Sequence, residues 1–283
     1  MFSTGPTGGA RPTLYRSHLA PLAAALLATL LVVGASLARP APAAAASSDM
    51  KVVIVVGPVG SRTAEYIADA NEIAAQARGY GARVIKVYSP YATWTRVKRV
   101  SRDANLFVYL GHGNGWPSPW GSFTRATKNG LGLNGGWGRG NNNTKYRGEK
   151  YIAEELQLAP RAVVLFHRLC YASGNSESTS SIPTQRVAHQ RVDNFAAGFL
   201  RTGARAVFAE GWQSTKYILN GLFRTNLSMR QIFWSAPHAK RTWASWFTSI
   251  RTLGSRAILD PYYRGGYYRS VIGRLDMLAS AWR

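Results

Sequence analysis

The sequence predicts an α/β protein, a three-layer sandwich in which a mainly parallel sheet carries helices on both faces. Three observations predict it. Short apolar, β-branched runs recur without alternation, as in strands buried on both faces. Segments of helical spacing separate them, so the connections read as crossovers. And 283 residues that are 46% hydrophobic and 12% aromatic supply enough apolar surface for a large core.

The elements follow in order. "KVVIVVGPVG" (51–60) is a β-branched run closed by a Gly/Pro turn and reads as the first strand. Residues 63–78 have helical spacing, with Ala64, Ile67, Ala68, Ile73 and Ala74 on one side and Gly79 as a stop. "ARVIKVYS" (82–89) is a second strand, 93–103 a short basic helix and "NLFVYLG" (105–111) a third strand. Residues 111–148, full of Gly, Asn and Trp, show no clear periodicity. A helix over 149–158 precedes "RAVVLFHRLC" (161–170), which opens with a fourth strand. After a polar loop (172–181) come a helix over about 184–201, a fifth strand "ARAVFAEG" (204–211) and one or two helices over 215–234. The Trp-, Tyr- and Arg-rich remainder is expected to form short helices on the domain edge.

The first 46 residues are set aside as an export signal. Arg11, Arg16 and His18 give a basic start, 19–37 an apolar run, and "APAAAASS" (41–48) small residues that place cleavage after Ala46. An uncleaved anchor is the alternative, since about 20 apolar residues span a bilayer. No later stretch is apolar enough, so no membrane span is expected after signal cleavage. The expected organisation is a signal (1–46), an α/β domain (47–235) and a basic, aromatic-rich helical extension (236–283). The product is expected to be secreted or held at the cell surface.

Losing Arg11, Arg16 and Arg39 takes the net charge from +22 to +19. Such a balance favours anionic partners such as a wall or surface polymer, a lipid surface or nucleic acid. Residues 201–283 hold 13 Lys and Arg against Glu210, Asp260 and Asp276. No nucleic-acid motif accompanies the charge, which leaves a generally basic exported surface as the plainer reading.

Chemistry in a parallel sheet gathers beyond the C-terminal ends of the strands. Two candidates fall there. "VYLGHGNG" (108–115) delivers His112 between glycines, and "VVLFHRLCYASGN" (163–175) delivers Cys170, the single cysteine of the chain. A lone cysteine in an exported protein cannot form an internal disulfide and is a candidate reactive thiol. Neighbouring strands lie about 4.8 Å apart. If these two pair, an imidazole and a thiol share one pocket, where the imidazole accepts the thiol proton and later protonates a leaving amine. The backbone N–H groups of Gly113 and Cys170 are candidate oxyanion donors, with Gly113 bare so that a substrate carbonyl can approach.

An apolar strand running into "GHG", then a second strand running into a cysteine and "SG", with 57 residues between the histidine and the cysteine, resembles the caspase-haemoglobinase fold of caspases, gingipains, clostripain, legumain and separase. The resemblance covers roughly residues 51–229. It implies a caspase-like architecture and a cysteine endopeptidase acting on peptide or protein, with His112 as catalytic histidine, Cys170 as nucleophile and no cofactor or metal. Leu169-Cys170-Tyr171 stands where caspases carry Ala-Cys-Gly, and no specificity pocket is matched.

Other readings remain. His112 can be a packed loop residue and Cys170 an inert buried thiol. His167 is a rival partner for Cys170, although three residues along a strand place the two on opposite faces. His189 fits a structural role on the following helix, and His112, His167, Cys170 and His189 match no compact zinc spacing. Trp116 and Trp120 are candidate substrate contacts or core closures. Asn175 and Glu177 are candidates for polar substrate contacts. Glu210 either receives a substrate group or pairs with a local arginine, and Asp193 and Asn194 hold a neighbouring loop. The alternative function is a non-catalytic surface module of the same fold that binds an anionic wall polymer, or a nucleic-acid binder.

Overall fold

In β1 (Lys51–Val56), every residue from Val52 to Val56 is fully buried, as expected for a strand covered on both faces. The computed structural model describes residues 49–177 and 181–283, and the expected signal segment lies outside them. After β1 come α1 (Thr63–Gly79), β2 (Arg83–Tyr88), α2 (Trp94–Ser101), β3 (Leu106–Leu110), β4 (Leu131–Asn134) and β5 (Thr144–Arg147). Then follow α3 (Glu149–Glu155), β6 (Val163–His167), α4 (Gln185–Leu200), β7 (Ala206–Glu210), α5 (Lys216–Arg224) and α6 (Met229–Trp234). The chain closes with β8 (Ser245–Thr248), β9 (Arg256–Leu259), β10 (Arg269–Gly273) and α7 (Ala279–Trp282).

The protein is an α/β sandwich around an eight-stranded sheet of order β2-β1-β3-β6-β7-β10-β9-β8. From β2 to β7 every pairing is parallel. From β7 outward the pairings are antiparallel. One face packs Phe107 and Phe166 on Phe199 of α4, with ring centroids 6.3 and 4.9 Å apart. The other buries Val108, Leu165 and Phe208 beneath α1, α5 and α6.

Local chemistry starts and orients the helices. Thr184 caps α4 by accepting the Val187 N–H, and Ser228 and Gln231 form a reciprocal capping box on α6. In α1 the buried face is Tyr66, Ala70, Ile73, Ala74 and Ala77. The expected stripe through Ala64, Ile67 and Ala68 is therefore rotated, because the large Tyr66 ring takes the core position.

Two expectations are corrected. Residues 111–148 contain the β4–β5 hairpin, whose strands are too short and too rich in Gly and Asn to show periodicity. And 236–283 is not a helical extension. It supplies β8, β9 and β10, and β10 inserts directly beside β7. The insertion is pinned by Arg269 at the start of β10. Its Nε donates to Glu210 at the end of β7 (3.1 Å) and its Nη1 to Asp260 (2.5 Å), with all three residues buried. The Tyr217 hydroxyl also donates to Glu210.

Removing one partner of a buried ionic cluster strands the others without water. Arg269→Met is expected to cost about 3–5 kcal/mol. Arg256→Met, which breaks only the exposed pair with Asp276, is expected to cost less than about 1 kcal/mol. Urea denaturation of the two variants measures the difference.

Candidate active site

β3 and β6 are parallel neighbours with Leu110 opposite His167, so both strands release their chains at the same rim. His112 follows two residues after β3, and Cys170 three residues after β6. The two exits touch through their backbones. A Cβ on Gly113 would collide with the Cys170 carbonyl oxygen, and one on Gly115 with Cβ of Tyr171. The glycines around His112 thus make room for the cysteine loop as well as for any ligand.

Tyr109 holds the histidine loop from below. Its buried hydroxyl accepts the Gly132 N–H (3.0 Å), donates to the Gly132 carbonyl (2.7 Å) and lies 3.1 Å from the His112 carbonyl. The Gly132 N–H also reaches that His112 carbonyl at 3.1 Å. The hairpin missed in the sequence therefore props the histidine, and Tyr109 was hidden there as one more apolar strand residue.

The cysteine loop is strained. Arg168 and Tyr171, on either side of Leu169-Cys170, have φ of 56° and 70°, left-handed values uncommon outside glycine. Such conformations cost about 1–3 kcal/mol each and cluster at functional sites. They are held by surrounding contacts. The Arg168 N–H donates to the Glu210 carbonyl (2.9 Å), and its guanidinium pairs with Glu65 (2.5 Å) and Asp69 (2.6 Å). Ser173 donates to the Tyr267 carbonyl (2.8 Å), tying the loop to the approach of β10. Among the described residues, the N–H groups of Gly113 and Cys170 donate to no protein acceptor.

The electrostatics favour uncharged groups. Burial, and then the nearby Glu177 carboxylate, push the Cys170 thiol up to about 11, against a smaller opposing pull from Arg62. The His112 side chain is exposed, yet the loops around it withdraw enough water to lower its pKa, with Glu177 pulling the other way. Both shifts favour the neutral form, of the imidazole and of the thiol alike. Among the described residues, neither the His112 ring nor the Cys170 sulfur enters a side-chain hydrogen bond.

Cys170 opens on a cleft of about 330 Å³ lined also by Arg62, Tyr66, Arg168, Asn175 and Trp212. Tyr268 completes the wall, meeting Trp212 edge-on with centroids 4.2 Å apart. Both guanidinium groups lie over the Tyr66 ring, at 5.5 and 5.6 Å. Among the cleft-lining residues there is no carboxylate. Trp212 follows the fifth predicted strand directly, and that rim position was the signal available in the sequence. Tyr66, Arg62 and Tyr268 gave none.

The other candidates separate. Asn175 lines the cleft, and the Tyr171 hydroxyl donates to Glu177 (3.3 Å). Trp116 and Trp120 lie outside the cleft lining. Trp116 packs on Phe123 (5.8 Å) and its carbonyl accepts from Asn194 (2.9 Å), while Trp120 is exposed. Glu210 is committed to Arg269, the local pairing of its two expected roles. Asp193 accepts from Ser249 (2.5 Å), so Asp193 and Asn194 do hold loops. His167 is buried 3.7 Å from Asp69 of α1 and does not line the Cys170 cleft. His189 stacks on Phe247 and hydrogen-bonds Ser245. Among the described residues, no three His, Cys, Asp or Glu side chains gather to hold a metal ion.

No protein-family model matches the chain, and no curated protein matches it. Among solved structures it is similar to a secreted C11 cysteine protease from Bacteroides thetaiotaomicron, determined with an irreversible peptide inhibitor, at 11% identity and a TM-score of 0.36. The match covers 75% of this chain and 66% of that protease. No described helix is long and apolar enough to cross a membrane.

The contact at Gly113 is testable. Gly113→Ala is expected to lose about 1–3 kcal/mol of stability, because the collision is with main chain. Gly79→Ala, at the open end of α1, is expected to gain about 0.5–1 kcal/mol. Thermal unfolding of both variants reads the two signs.

Proposed function

We propose that this protein is an exported thiol hydrolase of the caspase-haemoglobinase type, cleaving peptides with His112 as base and Cys170 as nucleophile. The observation that carries the reading is the main-chain contact between Gly113 and Cys170, where two parallel strands end side by side. The strained backbone around Cys170 and the unpaired N–H groups of Gly113 and Cys170 support it.

The pKa directions define the route. With the thiol raised and the imidazole lowered, the resting pair is neutral, so proton transfer accompanies attack rather than preceding it. The thiol proton passes to the His112 ring as sulfur bonds to the carbonyl carbon. The oxyanion is received by the N–H groups of Gly113 and Cys170. The imidazolium, steadied by Glu177, protonates the leaving nitrogen as the C–N bond breaks. Water, deprotonated by His112, then hydrolyses the thioester. Two arginines and no carboxylate in the cleft lining disfavour a basic side chain ahead of the scissile bond.

A second reading, a non-catalytic module of the same fold that binds an anionic surface polymer, is favoured by the cleft lining, which includes Cys170 but not His112.

Peptide hydrolysis is expected to fall at least about 10²-fold in both Cys170→Ala and His112→Ala. The acid limb of kcat/KM is expected to have its midpoint below the ordinary imidazole value of about 6.5, because the required neutral form persists to lower pH when the pKa is lowered. Iodoacetamide should label Cys170 slowly at neutral pH and faster toward pH 11. No peptide turnover across a library lacking basic residues, with labelling indifferent to His112→Ala, would leave the binding module.

A further inference from the structure

The opposite rim of the sheet carries a site of different character. At the N-terminal ends of β6 and β7, a cleft of about 600 Å³ is lined by Arg161, Arg205, Arg256 and Arg274, with Asp276 its sole carboxylate. The arginines come from four separate positions along the chain, and Lys is absent from the lining. An adjoining cleft of about 250 Å³ shares Arg256 and adds Arg230 and the exposed Trp246 on edge strand β8.

The cluster is built rather than scattered. The Arg274 N–H donates to the Arg205 carbonyl (2.7 Å), which locks the two residues side by side. A Cβ on Gly273 would collide with that same carbonyl, and one on Gly254 would lie 2.7 Å from Arg274 Nη1. Two glycines therefore let the Arg205 backbone and the Arg274 guanidinium pack where they do. Asp276 is occupied by Arg256 (2.7 Å) and Arg230 (3.6 Å). Arg205 and Arg274 have no carboxylate partner among the described residues, and Arg161 donates to the Ala281 carbonyl.

We propose that these two adjoining clefts form a binding groove for successive phosphate groups of a linear phosphate polymer. Guanidinium forks match phosphate oxygens two at a time, and five of them against one carboxylate leave a strong uncompensated positive field. Two concavities that share Arg256 suit a repeating anion better than a single small one. The groove lies on the rim away from Cys170, so it neither uses nor depends on the proposed catalysis. It would hold the protein on a phosphate-rich polymer while the other rim stays open.

The test is anisotropy of a fluorescent inorganic polyphosphate titrated with the exported chain. The double variant Arg205→Ser/Arg274→Ser is expected to bind at least about tenfold more weakly. It should also flatten the log–log salt dependence by roughly 0.7 for each phosphate it no longer neutralises. Lys145→Ser/Arg186→Ser, two exposed cations elsewhere, should change affinity less than about twofold for a localised site. Equal weakening in both double variants would overturn the proposal in favour of undirected net charge. Poly-L-glutamate of matched charge, bound as tightly and with the same arginine dependence, would overturn the choice of phosphate. Phosphatidylglycerol vesicles that lose binding in the arginine variant while polyphosphate does not would overturn it in favour of a membrane surface. All four side chains are exposed, so unchanged melting temperatures are expected, and peptide hydrolysis should be unaffected.

Discussion

The bare Cα of Gly113 against the carbonyl of Cys170 is the constraint on which the candidate site depends. Parallel pairing of β3 and β6 brings two chain exits to one rim, but pairing alone leaves each loop free to turn away. The close approach of the two backbones removes that freedom. Tyr109 then fixes the histidine loop to the hairpin, and Arg168 fixes the cysteine loop to α1 and to β7. Strain at Arg168 and Tyr171 persists because these interactions over-determine the backbone.

The electrostatic design follows from the same packing. A thiol enclosed by Leu169, Tyr66 and the loop backbone loses water and resists ionisation. Arg62 and Arg168 stand nearby, but both are engaged with Glu65, and Arg168 also with Asp69, and only a minor pull from Arg62 reaches the thiol. Glu177 bears on both the thiol and the imidazole, holding the first protonated and making the second more basic. An arrangement of this kind keeps the resting sulfur protonated.

Much of this architecture was legible in the sequence because buried parallel strands write themselves as continuous apolar runs. Four of the five parallel strands and the rim positions of His112 and Cys170 came from that one signal, while the half-exposed edge strand β2 carries Arg83 and Lys86 among its apolar residues. The antiparallel half was not legible. β8 alternates burial over only four residues, and β9 and β10 open with arginines, so a turn-rich stretch with Tyr and Trp masked them. Arg269 illustrates the difficulty, since a buried arginine looks in sequence like one more surface charge until Glu210 and Asp260 are placed around it. The cleft wall shares that obscurity, because Tyr66 lies on a helix face, Trp212 after a strand and Tyr268 before another. Only the assembled sheet brings the three to Cys170.

The place of β10 in the sheet bears on the protein's life before it is complete. Residues 269–273 close over an edge of β7 that the preceding chain leaves open, and Tyr268 arrives with them. A nascent chain that has emerged only as far as α6 therefore holds both His112 and Cys170 yet lacks one side of the cleft, the Arg269 clamp and the tether from Ser173 to Tyr267. Completion of the cleft around Cys170 is therefore deferred to the last stretch of chain to be synthesised.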